Sequence, residues 1–174
     1  MLTLVLGGAR SGKSRQAEFL AAGSGKPVTC VATATAGDDE MRQRIERHRA
    51  SRPAHWTTVE EPIELASVLR ANDSPNRCHL VDCLTLWLTN LLLADDPAVF
   101  TREREALLLV LSQLQGDVIL VSNEVGQGIV AADPLSRRFV DEAGFLHQAI
   151  AAISDRVLFT IAGLPLELKK PASN

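Results

Sequence analysis

Leu2-Thr3-Leu4-Val5-Leu6-Gly7-Gly8-Ala9-Arg10-Ser11-Gly12-Lys13-Ser14 joins a short apolar run to a glycine-rich loop of the form G-x-x-x-x-G-K-[ST]. A strand that turns into a helix through such a loop aims successive backbone N–H groups at one point, with the positive helix end behind them. That arrangement cradles a phosphate chain. Lys13 then reaches the β- and γ-phosphates, and the Ser14 hydroxyl is a ligand for Mg²⁺. Arg15-Gln16-Ala17-Glu18-Phe19-Leu20 reads as the helix that follows, so the motif has the context that separates it from a chance glycine turn. A nucleoside triphosphate is the expected ligand of Gly7, Gly8, Ala9, Arg10, Ser11, Gly12, Lys13 and Ser14.

Outward from this loop, apolar runs alternate with helical stretches along the whole chain. Strands are predicted at Leu2–Leu6, Val28–Ala32, Trp56–Val59, His79–Asp82, Val118–Ser122 and Val157–Ile161. Helices are predicted at Lys13–Ala22, Asp38–Ala50, Ile63–Ala71, Leu84–Leu93, Ala98–Leu114 and Pro134–Ile153. β-Branched runs separated by helices imply a mostly parallel sheet covered on both faces. The expected fold is therefore α/β, a three-layer P-loop NTPase (RecA-like) domain, with ligands at the carboxyl ends of the strands.

With 174 residues and no repeat or long linker, the chain is expected to form a single nucleotide-binding catalytic domain over residues 1–174. A net charge of −3 supplies no global basic field for nucleic acid. Cys30, Cys78 and Cys83 contain no Cys-x-x-Cys pair, and Cys30 and Cys78 lie in apolar strand-like runs. This pattern suggests a reduced, cytoplasmic protein without structural zinc. The N-terminal apolar run lacks a basic leader, and Leu84–Ala94 is too short to span a bilayer. Lys169 to Asn174 is polar and expected to fray.

A phosphate site with Mg²⁺ needs an acidic partner. His79-Leu80-Val81-Asp82 is an apolar strand ending in a carboxylate, the form of a Walker B element, and Asp82 is the candidate to hold the metal or to polarise an attacking hydroxyl. A turn aspartate at a strand end is the lesser alternative by pattern alone, and the preceding phosphate loop shifts the balance further toward the functional role. Asp38-Asp39-Glu40 opens a predicted helix in which Met41, Ile45 and His48 mark one face, with Arg42, Arg44, Arg47 and Arg49 on the adjoining faces and Arg52-Pro53 ending it. A histidine among guanidinium groups beside a polyphosphate has the chemistry of a nucleophile. Periodicity alone favours a solvated basic helix with one partly buried histidine.

Other features say less. Asn123-Glu124-Val125-Gly126-Gln127-Gly128 follows an apolar strand and is either a polar ligand edge or an ordinary glycine turn. Leu84–Leu93 is apolar almost all round, which predicts a fully buried helix, within or between subunits. His55, His79 and His147 show no metal-ligand spacing and read as structural or surface residues.

Taken together, GGARSGKS at Gly7–Ser14, Ala32-Thr33-Ala34, Asp39-Glu40-Met41 with Arg44-Ile45, His48 before Arg52-Pro53 and Trp56, Glu60-Glu61-Pro62, Thr89-Asn90-Leu91-Leu92 and Ser122-Asn123-Glu124-Val125-Gly126 run in a recognisable order. The chain resembles the bifunctional adenosylcobinamide kinase / adenosylcobinamide-phosphate guanylyltransferase family of cobalamin biosynthesis. That resemblance implies two reactions: phosphorylation of the aminopropanol hydroxyl of adenosylcobinamide by ATP or GTP, then transfer of GMP from GTP through a guanylyl-histidine. It places the guanylylated histidine on His48; some members carry a second histidine directly before it, where this chain has Arg47. It also implies nucleotide contacts at the phosphate loop, Ala32, Thr33, Ala34, Arg49, Ala50, Ser51, Arg52, Glu60 and Asp82, with Lys13, Asp82 and His48 catalytic and Ser14 and Asp82 on Mg²⁺. Adenosylcobinamide and its phosphate are the implied substrates, and a homo-oligomer, such as a trimer, is the implied assembly.

Three other readings share some of these features. A P-loop kinase of another small alcohol would leave His48 structural. A GTP-operated switch would need DxxG and NKxD motifs, which Asp82-Cys83-Leu84-Thr85 and Ser122-Asn123-Glu124-Val125 do not match. A nucleic-acid motor of RecA type would need a basic DNA-facing surface, whereas the cationic cluster here is confined to one helix.

Overall fold

The computed structural model describes residues 1–35, 37, 39, 42, 43, 46, 49, 50 and 52–171. A seven-stranded sheet organises them: β1 (Leu2–Gly7), β2 (Val28–Ala32), β3 (Thr57–Glu60), β4 (Cys78–Asp82), β5 (Asp117–Asn123), β6 (Arg156–Ile161) and β7 (Leu164–Lys169), in the order β3-β2-β4-β5-β1-β6-β7. The first six strands are mutually parallel, and β7 pairs antiparallel with β6. The sheet is flanked by helices α1 (Lys13–Gly23), α2 (Leu65–Ala71), α3 (Leu84–Leu92), α4 (Ala98–Leu111) and α5 (Pro134–Ile153).

Alternation of side chains along each strand builds two cores. Leu2, Leu4 and Leu6 of β1 join one cluster with Leu65 and Leu69 of α2, Trp87 and Leu91 of α3, Leu107 of α4 and Leu146 and Ile150 of α5. Val5 instead points into a second cluster with Cys30, Leu80, Val121 and Leu158, closed by Ala17 and Ala21 of α1. Each large aliphatic chain buried this way contributes about 1.5–3 kcal/mol. The expected three layers are present.

Several expectations change in detail. The strand expected at Trp56–Val59 is Thr57–Glu60, and the helix expected to reach Leu114 ends at Leu111. In the Asp38–Ala50 segment, Asp39, Arg42, Gln43, Glu46, Arg49 and Ala50 are helical; Asp38, Glu40, Met41, Arg44, Ile45, Arg47 and His48 lie outside the described residues. Helix α3 is not buried all round: its interior face packs within the subunit, with the Trp87 indole donating to the Ile63 carbonyl at 2.8 Å, while Leu93 just beyond it is 63% exposed. Lys169, the first residue of the segment expected to fray, closes β7, and its Nζ donates to the Ala151 and Ala152 carbonyls at the end of α5; residues 172–174 lie outside the described residues.

Candidate active site

At the carboxyl end of β1 the loop Gly7–Lys13 is folded as the motif requires. Arg10 (φ 56°) and Gly12 (φ 94°) adopt left-handed backbone, and the Ser11 N–H donates to the Gly8 carbonyl at 3.3 Å. Lys13 is buried, its Nζ donating to the Gly8 carbonyl at 3.1 Å. Helix α1 starts at Lys13 itself, which places Lys13 and Ser14 in its first turn.

The turn between β6 and β7, which the sequence reading missed, braces this loop. The Gly163 N–H donates to the Ser11 carbonyl at 2.8 Å. A Cβ on Gly12 would lie 3.0 Å from Gly163 Cα, and one on Gly7 would lie 2.6 Å from the Thr160 carbonyl oxygen. Glycine is needed at both places for close backbone approach.

A second group of candidates lines up at the ends of β2, β3 and β4, where Ala32 is in register with both Glu60 and Asp82. Thr33 fixes the turn after β4: its Oγ1 donates to the Cys83 carbonyl at 2.6 Å and accepts from the Cys83 N–H at 2.9 Å. The Asn90 amide ties this corner together by donating to the Thr33 carbonyl at 2.8 Å and the Pro62 carbonyl at 3.1 Å. Arg52 Nη2 donates to Asp82 Oδ2 at 2.9 Å in a nearly buried ion pair, with side chains 6% and 14% exposed. Arg49 Nη1 lies 3.8 Å from Glu60 Oε1, both side chains open to solvent, a contact worth little to stability. Ala34 and Ala50 are described, whereas Ser51 and His48 lie outside the described residues.

Strand β5 separates this group from the phosphate loop and brings residues that the sequence left ambiguous. Ser122, in register with Leu6, and Asn123, in register with Gly7, are followed by Glu124, whose N–H donates to the Gly7 carbonyl at 3.1 Å. His147 of α5 reaches the same place, its Nε2 2.7 Å from Ser122 Oγ. Burial holds the His147 ring below its ordinary pKa, partly offset by the Glu124 charge.

Buried polar atoms without a hydrogen-bond partner among the described residues include Ser11 Oγ, Arg52 Nε, Asn123 Oδ1 and Thr160 Oγ1, at or beside this sheet edge. Orphans of this kind call for an explanation in bound ligand or solvent. The described residues contain no cluster of three or more His, Cys, Asp or Glu that would hold a metal unaided. Ser14 offers a hydroxyl and Asp82 a carboxylate, the oxygen-donor types of a Mg²⁺ held jointly with substrate phosphates, so their chemistry is compatible with the ion. Cys30 and Cys78 are free and buried, their thiols pushed up to about 12 and about 11, chiefly by burial, which keeps both unreactive.

Fold and loop together define a P-loop NTPase-type domain, and the solved structure of the RadB recombinase is similar to it with a TM-score of 0.51 at 18% identity, over 91% of this chain and 73% of that one. The sequence narrows the class. The chain matches the profile of the cobinamide kinase / cobinamide phosphate guanyltransferase family over residues 3–168, and it belongs to that family. It is 64% identical to the bifunctional adenosylcobalamin biosynthesis protein CobP of Pseudomonas aeruginosa, over 97% of this chain and 98% of the relative. It is 40% identical to the bifunctional protein CobU of Escherichia coli K12, over 97% of this chain and all of the relative.

Proposed function

We infer that this chain is both a cobinamide kinase and a cobinamide-phosphate guanylyltransferase, acting on adenosylcobinamide and then on its phosphate. The observation that carries the reading is the family match across residues 3–168 on a chain whose phosphate loop is folded and braced at the sheet edge.

In the kinase reaction the loop N–H groups and Lys13 hold the β- and γ-phosphates of ATP or GTP while the aminopropanol hydroxyl attacks the γ-phosphorus. Mg²⁺, with Ser14 and Asp82 as its protein ligands, would neutralise phosphate charge. In the transferase reaction His48 attacks the α-phosphorus of GTP, pyrophosphate leaves, and a phosphoramidate to GMP forms. The substrate phosphate then displaces the histidine to give adenosylcobinamide-GDP. Ala32–Ala34, Arg49, Ala50, Ser51, Arg52, Glu60 and Asp82 are the proposed nucleotide contacts; in support, Ala32, Glu60 and Asp82 share one register row and Arg52 reaches that row.

Incubation with α-labelled GTP and Mg²⁺ should leave an acid-labile, base-stable label on the protein. Adenosylcobinamide with γ-labelled ATP should become labelled in a separate reaction. Failure of the first with success of the second would leave a small-molecule kinase alone.

A homo-oligomer, trimeric by family resemblance, is proposed because edge strand β7 exposes Leu164, Leu166 and Leu168, a surface that proteins ordinarily cover. Light scattering on the purified protein reports the mass. A reducing cytoplasm is the compartment that suits its three free cysteines. Among the described residues no helix is long and apolar enough to cross a membrane.

A further inference from the structure

Three carboxylates at the ligand edge differ in their distance from the phosphate loop. Glu60 ends β3, at the far side of the sheet, and faces Arg49. Asp82 ends β4 and is engaged by Arg52. Glu124 follows β5, the strand beside β1, and its own N–H is bonded to Gly7 at the start of the loop. Its side chain is held on one side, Oε1 accepting from the Gly126 N–H at 2.7 Å, while Oε2 faces His147 Nδ1 across 3.8 Å.

A chain of polar contacts fixes the orientation of the His147 ring. Thr85 Oγ1 accepts from the Asn123 N–H at 2.7 Å and lies 3.3 Å from Ser122 Oγ. Ser122 Oγ lies 2.7 Å from His147 Nε2 and anchors the ring by a hydrogen bond. With Nε2 engaged by Ser122, the ring turns Nδ1 toward the Glu124 carboxylate, 3.8 Å away. Ser122 is 2% exposed; it orients the ring and is closed to substrate.

We propose that Glu124 is the general base of the alcohol-phosphorylating step, and that His147, fixed by Ser122 and Thr85, is the residue that positions it. This rests on the reading of the chain as a kinase of the aminopropanol hydroxyl. The hydroxyl O–H bond breaks with its proton passing to the Glu124 carboxylate. The oxygen lone pair forms the new bond to the γ-phosphorus. The bond from that phosphorus to the β–γ bridging oxygen breaks, and its electron pair leaves with the nucleoside diphosphate. Glu124 then returns its proton to solvent through its exposed side.

Glu124→Gln keeps the size of the side chain and an oxygen for the Gly126 N–H. Its kinase kcat should fall by about 10²–10³-fold, with nucleotide Kd and thermal midpoint near those of the parent protein. Glu124→Ala should be equally slow and should regain rate as sodium formate is added, because a small carboxylate enters the space left by the side chain. His147→Phe should lower kcat by about tenfold without changing the nucleotide KM or responding to formate. A parental rate in Glu124→Gln, or a slow Glu124→Ala protein indifferent to formate, overturns the assignment of the base. If the unmodified protein transfers no phosphate to adenosylcobinamide, the kinase reading itself fails and this inference goes with it.

Discussion

Asp82 shows how one side chain can serve two partners in turn. Its carboxylate, proposed as a Mg²⁺ ligand, is held by Arg52 with both side chains mostly buried. Asp82→Asn keeps a neutral acceptor for the guanidinium but removes the charge that balances it. The substitution should therefore cost about 1–3 kcal/mol of stability as well as weakening the Mg²⁺ dependence of phosphoryl transfer. A urea titration and a Mg²⁺ titration on the same preparation test both halves; an unchanged midpoint would show that the ion pair contributes nothing net. His48 calls for a different test. His48→Ala should abolish the GMP adduct and the formation of adenosylcobinamide-GDP, yet leave phosphorylation of adenosylcobinamide in place, because that step needs no enzyme nucleophile. An adduct on the His48→Ala protein would falsify the nucleophile assignment.

Among the elements, β7 and the turn leading into it brace the phosphate loop and were not visible in the sequence, although β6 was. Leu164-Pro165-Leu166-Glu167-Leu168-Lys169 lies on an edge, with a proline second and no Asn-Gly or Asp-Gly signal before it; its turn is Ala162 (φ 51°) and Gly163 (φ 81°). Gly163→Val would place a branched residue at positive φ and drive a Cβ to 3.2 Å from Arg15 Nη2. Nucleotide affinity should drop about tenfold while far-UV circular dichroism stays parental, since the turn supports the loop more than the core. Titration calorimetry with a non-hydrolysable triphosphate measures this, and parental affinity would mean that the brace is dispensable. Where elements carry strong local signals the reading was close. The run Leu2–Leu6 and the strand ending in Asp82 are continuous and apolar, and Asp133-Pro134 opens α5, with the Asp133 carboxylate accepting from the Ser136 N–H at 2.9 Å.

For the molecule as a whole, stability should depend on pH through a histidine buried in the sheet. His79 on β4 is fully buried, and neither ring nitrogen has a hydrogen-bond partner among the described residues. Burial lowers its pKa; Asp73 acts in the opposite sense and Arg77 in the same one. The unfolded chain protonates this ring near its ordinary value of about 6.5, while the folded chain resists. The native advantage is therefore whole above that pH and is lost as pH falls toward the folded value, with a slope of up to about 1.4 kcal/mol per unit. Denaturant midpoints between pH 7.5 and 5 should fall in the parent and fall less in His79→Leu; equal slopes would exclude His79 as the source. Long-range pairings were beyond the sequence for a related reason. The Arg52–Asp82 ion pair and the Ser122–His147 hydrogen bond join elements that meet because β4 and β5 lie inside the sheet, and neither residue pair has a local pattern that announces its partner.

The bond between Gly163 and the phosphate loop also sets an order of events during synthesis. β1 and its loop are made first, yet β1 sits between β5 and β6, so the earliest strand waits for two of the later ones. The glycine that presses on Gly12 emerges later still. A nascent chain thus carries the whole phosphate-loop sequence for most of its translation with neither flank nor brace in place. The braced form of the phosphate loop is therefore complete only once the C-terminal hairpin has emerged.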